Sequence, residues 1–231
     1  MNAIEESNLI RETVATTFRD AGLAWPPTSS GPIPLGDLIS NYPVVHQEVD
    51  GLNRAAASAV LRGWDVRWSA IPREDPPLAG FLYASKRADR RAGFIFVRKG
   101  DILPRRRFTA AHELGHYRLH FNPDEAEMVE FDGDEDVEES GQADLTSMER
   151  QANRFAAELL MPEAVCRTLH ECHARKYGPV DRYLVYHLAG ELLVSRSAIA
   201  WRLFGLGLIG RPNWLPKTAG EPGSLRAGDA D

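Results

Sequence analysis

The sequence predicts an α+β fold, a small sheet packed against helices and followed by a further helical pair. Three observations predict it. Apolar residues recur at helical spacing in the first twenty residues and again beyond Arg105. Between Trp64 and Arg98 the period drops to two, as in half-buried strands. Helical spacing then returns after Lys99-Gly100-Asp101, a sequence suited to a turn.

In order, Leu9, Ile10, Val14 and Phe18 mark one stripe of a helix over Ala3–Ala21. Trp25–Pro32 reads as a linker, because its prolines and Gly31 interrupt regular structure. A short helix is expected at Leu35–Asn41 and a longer one over Val49–Gly63, with Leu52, Ala56 and Val60 on one side and Gly63 as C-cap. Trp64–Ile71, Leu78–Ala84 and Ala92–Arg98 are the expected strands of an antiparallel or mixed sheet. The next helix spans about Arg105–His120. Thr146 as N-cap and Pro162 as stop bound another, and a further one runs to about Lys176. Gly178-Pro179 ends it. Asp181–Leu193 and Ser195–Phe204 complete the set, with Ser195 as N-cap.

Length and composition suit a soluble globular chain: 231 residues, 43% hydrophobic and 26% charged. Met1–Arg11 is acidic and lacks the apolar centre of a signal peptide, and no apolar run reaches the length of a membrane span. Cys166 and Cys172 point to different faces of one helix, which argues against a mutual disulfide. A reducing, cytoplasmic location is the expectation, with no membrane partner. The net charge of −6 is unevenly placed, because ten of the 33 acids fall within Asp124–Glu139 and that segment has no base. Without it the chain is mildly basic. An acidic, solvated loop is expected there, matching no EF-hand spacing.

The chemistry centres on His112-Glu113-Leu114-Gly115-His116. Residues four apart on a helix share a face, so both imidazoles can reach one ion. Zinc held by three protein ligands keeps a position for water and brings that water's pKa to about 7. Glu113 is placed to take the water's proton. His120 extends the series, but it lies about 12 Å along the axis from His112. It is therefore expected to support the site from behind the ligands or to pack, not to join the two at the ion. Tyr117 points about 100° away from His116. Arg105, Arg106 and Arg107 oppose the helix dipole and are expected on a solvated face or against the acidic segment.

The third ligand must come from elsewhere. On Thr146–Pro162, Glu149, Asn153, Ala156 and Leu160 share a face, and Ala152, Ala156 and Ala157 permit close helix approach. Glu149 can complete the site, with Asn153 fixing the tautomer of a ligand imidazole. Thr146-x-x-Glu149 is also a capping box, in which Glu149 would serve only the helix end. Glu158 competes for the ligand position.

Arg107–His116 together with Glu149-x-x-Ala152-Asn153-x-Phe155-Ala156-Ala157-Glu158-Leu159-Leu160-Met161-Pro162 resembles the ImmA/IrrE metallopeptidase family. The likeness extends more weakly over about Val49–Gly210. The resemblance implies a gluzincin-like, zincin-type fold with Zn2+ as cofactor. It implies His112, His116 and Glu149 as ligands, Glu113 as base, and a helix-turn-helix repressor as the protein cut. Two features depart from the family: the acidic insert lengthens the step from His116 to Glu149, and the N-terminal extension is unplaced by the resemblance.

The domain division that follows is an N-terminal helical extension and linker (1–45), a zinc metallopeptidase domain (46–177, with 124–145 a flexible acidic insert), a helical appendix (178–210) and a disordered tail (211–231). Cys166, His170, Cys172 and His173 match no zinc-module spacing. Leu188–Leu203 resembles a helix-turn-helix, but Arg196, Arg202 and Arg211 are few cations for a DNA reader, so packing is the expected role. The reading is a zinc metallopeptidase. Its alternative is a non-catalytic regulator of the same fold, holding a repressor or DNA through the last helices.

Overall fold

The computed structural model describes residues 2–27, 31–87, 90–122, 124, 127–133, 146–178 and 181–211. They form eight helices and four strands: α1 Ala3–Asp20, α2 Leu35–Ser40, β1 Val44–Val49, α3 Arg54–Gly63, β2 Leu78–Arg87, β3 Arg90–Arg98, α4 Leu103–Leu119, β4 Glu127–Gly133, α5 Ser147–Leu160, α6 Glu163–Tyr177, α7 Asp181–Leu192 and α8 Arg196–Gly205. The sheet order is β1-β3-β2-β4. β1 runs parallel to β3, and β2 is antiparallel to both β3 and β4, so the fold is α+β with a mixed sheet.

Period-two alternation separates two cores. Phe81, Tyr83, Phe94 and Phe96 face one side, where they pack with Leu52, Leu61 and Trp68. Leu82, Ala84, Ile95 and Val97 face the other, beneath α4, and join the larger core with Leu114, Phe155 and Leu159. The same larger core takes Ile10, Val14 and Phe18 of α1 and Leu188, Leu192, Ile199 and Leu203 of α7 and α8. The helices at both ends of the described chain thus pack into the core that carries α4 and α5.

Three elements differ from the sequence expectation. Trp64–Ile71 is not a strand. It is an extended segment laid across α3, with Val66 and Trp68 buried and Ser58 Oγ donating to the Trp68 carbonyl at 2.6 Å. Its alternation reported one-sided burial, which an extended chain shows with or without a β partner. The helix expected over Val49–Gly63 starts only at Arg54. Asn53 caps it by accepting from Ala56 N, and the residues up to Val49 form β1. The acidic segment supplies β4, although it was expected to be a flexible insert over 124–145; residues 134–145 lie outside the described residues. The tail from 212 onward lies outside them as well.

The arginines at the start of α4 are used locally. Arg105 pairs with Asp101 at 3.3 Å, Arg106 pairs with Glu48, and Arg107 donates to the Ile33 carbonyl at 2.9 Å. Carboxylates at the helix start offset the charge that opposes the dipole. Arg202 of α8 pairs with the buried Glu158 of α5 and donates to the Met161 carbonyl at 2.9 Å.

The cysteines are both free. Cys166 is fully buried, and burial pushes its thiol up to about 11, whereas Cys172 is exposed. Because the thiolate is the reactive form, a maleimide at pH 7.5 is expected to label Cys172 within minutes and Cys166 only after denaturation. Mass-spectrometric mapping checks this, and rapid double labelling of the native chain would contradict the burial of Cys166.

No helix among the described residues is long and apolar enough to cross a membrane.

Candidate metal centre

α4 and α5 build the site, and their close approach comes from small residues. A Cβ on Gly115 would stand 3.2 Å from the Ala152 Cα and 3.0 Å from Phe155, so these backbones meet as they do only because position 115 is glycine. The contact brings the first turn of α5 over the face of α4 that carries His112 and His116. Thr146 caps α5 by accepting from Glu149 N at 3.2 Å. The Glu149 side chain turns toward the histidines: its Oε2 is 3.2 Å from His112 Nε2 and its Oε1 is 3.4 Å from His116 Nε2. The two Nε2 atoms are 3.0 Å apart. Glu158, the competing ligand, is committed to Arg202 instead.

The outer nitrogens of both rings are spoken for. His112 Nδ1 lies 2.8 Å from Asn153 Oδ1. His116 Nδ1 lies 3.2 Å from His120 Nδ1, and His120 Nε2 lies 3.0 Å from Gln151 Oε1. An amide oxygen only accepts, so His112 carries its proton on Nδ1 and His120 on Nε2. Burial lowers the pKa of His120, and the neutral ring then accepts at Nδ1 from His116. On this polarity His112 and His116 each carry a proton on Nδ1. The two Nε2 atoms and the Glu149 carboxylate converge on one point.

That donor set fits a divalent cation. Tetrahedral zinc with bonds of about 2.0–2.2 Å sets its ligand atoms roughly 3.3–3.6 Å apart, close to the 3.0, 3.2 and 3.4 Å seen here. His112, His116 and Glu149 form the one group among the described residues able to hold a metal by this arrangement. The electrostatics point the same way. Burial opposes charge on Glu149, but hydrogen bonds and charge from His112 and His116 outweigh it and hold its carboxyl well below the usual range. Burial lowers the pKa of His116, whereas Glu149 raises that of His112 against its burial.

Glu113 is 1% exposed, and neither of its carboxyl oxygens has a hydrogen-bond partner. Burial, reinforced by Asp132, Glu149 and Glu130, raises its pKa well above that of an ordinary carboxyl. Asp132 is itself pushed up to about 6, chiefly by burial. Several carboxyls thus share a site deficient in positive charge.

Sequence reasoning missed Asp132, Glu130 and Gly80. Asp132 sits opposite Gly80 across the β2–β4 ladder, and Glu130 sits opposite Leu82, so both acids lie on the helix-facing side of the sheet. The signal was present in Val129-Glu130-Phe131-Asp132, where apolar and acidic residues alternate, but the charge of the whole run obscured it. Gly80 makes room for Glu113, since a Cβ there would stand 2.3 Å from Glu113 Oε1 and 2.6 Å from Thr109 Cγ2. Gly80→Ala is expected to displace the carboxyl and lower any hydrolytic activity about 100-fold, the cost of a misplacement near 1 Å, while metal content stays at the parent level. Parallel assays of metal and turnover check this.

The family model of the IrrE N-terminal-like domain, peptidase family M78, matches residues 75–204. The chain belongs to this family. No curated protein matches it. The IrrE-like region runs from just before β2 through α8, so α4, α5 and the whole donor set lie within it, whereas α1, α2, β1 and α3 precede it. Membership of a metallopeptidase family agrees with a site built from two histidines, a carboxylate and a second, unpartnered carboxylate.

Proposed function

We propose that this IrrE-like chain is a zinc-dependent peptidase of zincin type, with His112, His116 and Glu149 as ligands and Glu113 as general base. The observation that carries the reading is the convergence of three donor atoms beside a buried carboxylate with no partner. When bound, zinc supplies Lewis-acid activation of water and of the peptide carbonyl. The chain's own residues do the rest. Asn153 and His120 hold the two imidazoles as Nδ1–H tautomers, so that Nε2 of each is free. Glu113 takes the proton of the attacking water on a carboxyl oxygen and passes it to the leaving amine. α4 and the sheet exclude solvent from Glu113, which strengthens each electrostatic contact there.

The substrate class follows from the family resemblance: a helix-turn-helix repressor or a similar regulatory protein, cut inside the cell. The alternative of a DNA-holding regulator finds less support, because the cations it needs are engaged. Arg202 is held by Glu158, Arg196 donates to Tyr186 Oη at 2.8 Å, and Arg211 lies over the Trp201 ring. The test is metal content of the purified chain by plasma mass spectrometry, followed by cleavage assays on candidate helix-turn-helix repressors. About one zinc per chain and a defined cut are expected. A folded chain that takes up no zinc even when it is supplied would overturn the reading.

A further inference from the structure

We infer that α1 helps to position the metal site, with Glu6 setting the tautomer of His116 through Gln151 and His120. The inference rests on the metal-site reading above. It concerns a segment that precedes the region matched to the IrrE-like family.

The chain of contacts has one polarity. A carboxylate only accepts hydrogen bonds. Glu6 Oε1 accepts from Arg154 Nη1 at 2.6 Å, and Glu6 Oε2 accepts from Gln151 Nε2 at 3.3 Å. Gln151 must therefore turn its NH2 toward α1, which leaves its carbonyl oxygen facing His120 Nε2 at 3.0 Å. His120 carries its proton on that nitrogen and accepts at Nδ1, 3.2 Å from His116 Nδ1. His116 donates from Nδ1, and its Nε2 faces Glu149 and His112. Reversing Gln151 would reverse every later bond and put a proton on His116 Nε2, where a metal must bind. Nothing in the amide itself chooses between the two orientations; the acceptor-only Glu6 does. His112 is fixed independently by Asn153.

Glu6 also holds α1 to α5 through Arg154, so the test separates docking from tautomer control. In Glu6→Ala both contacts are lost. In Arg154→Met the ion pair is lost and the acceptor for Gln151 remains. Histidine tautomers are read by long-range 1H–15N spectra of the metal-free chain, and zinc affinity by competition with a chelator. Glu6→Ala is expected to give His116 as a mixture of tautomers and to weaken zinc binding about tenfold, within the range for residues that orient a ligand. Arg154→Met is expected to keep the parent tautomer and affinity, and His112 is expected to stay Nδ1–H in both. A His116 that remains Nδ1–H in Glu6→Ala overturns the inference. So does an equal loss in the two variants, which would make Glu6 a docking contact only. A parent that binds no zinc would instead defeat the metal-site reading, and its His116 tautomer would still decide the relay.

Discussion

Replacing Glu149 by alanine is expected to remove the metal while leaving the fold in place. Zinc-binding free energies of about 10–16 kcal/mol shared among four ligands put roughly 3–4 kcal/mol on each, or a loss of about 100–1,000-fold in affinity. The fold should persist because Glu149 is at the first turn of α5 with a quarter of its side chain exposed, and the cap is made by Thr146 Oγ1 to the 149 backbone N–H, which alanine keeps. Circular dichroism and metal analysis of the same preparation check both halves. A folded Glu149→Ala that retains full zinc would return Glu149 to the role of helix-end residue. The observed geometry argues against that role, since the carboxylate faces His112 and His116.

The second large effect is Glu113→Gln. The amide has the size of the carboxyl but cannot take a proton, and general-base catalysis typically contributes 10²–10⁴-fold. A fall of that order in peptide cleavage is expected, with zinc content unchanged because Glu113 is not among the three converging donors. Thermal stability is expected to hold or rise. The native carboxyl is buried without a partner, and a neutral amide avoids the cost of burying charge. Cleavage surviving in Glu113→Gln would require another base. Asp132, which burial already raises to about 6 and which stands across the ladder from Gly80, would be the first to examine.

The helices were legible because their signals are local. Four-residue spacing put His112 and His116 on one face, Thr146 and Ser195 marked helix starts, and both serve as caps in the structure. The strands were less legible, because pairing is not local. Val66 and Trp68 alternate as a strand does and yet have no β partner among the described residues, while β1 and β4 pair without having looked like strands. In β4 the alternation was there, but a count of charges outweighed it.

The sequence by itself determined that two imidazoles share a helix face with a carboxylate between them, since helical geometry depends only on neighbours in the chain. It also narrowed the third donor to Glu149 or Glu158. Only the tertiary structure put Glu149 beside the two imidazoles and Glu158 away from them, by setting Gly115 against Ala152 and by pairing Glu158 with Arg202. It alone brought Asp132 and Gly80 beside Glu113, and it alone ran a line of hydrogen bonds from Glu6 to His116. The physical reason is common to these cases. Spacing along a helix fixes which side chains can act together, but the direction in which a side chain or an amide points is set by partners tens of residues away.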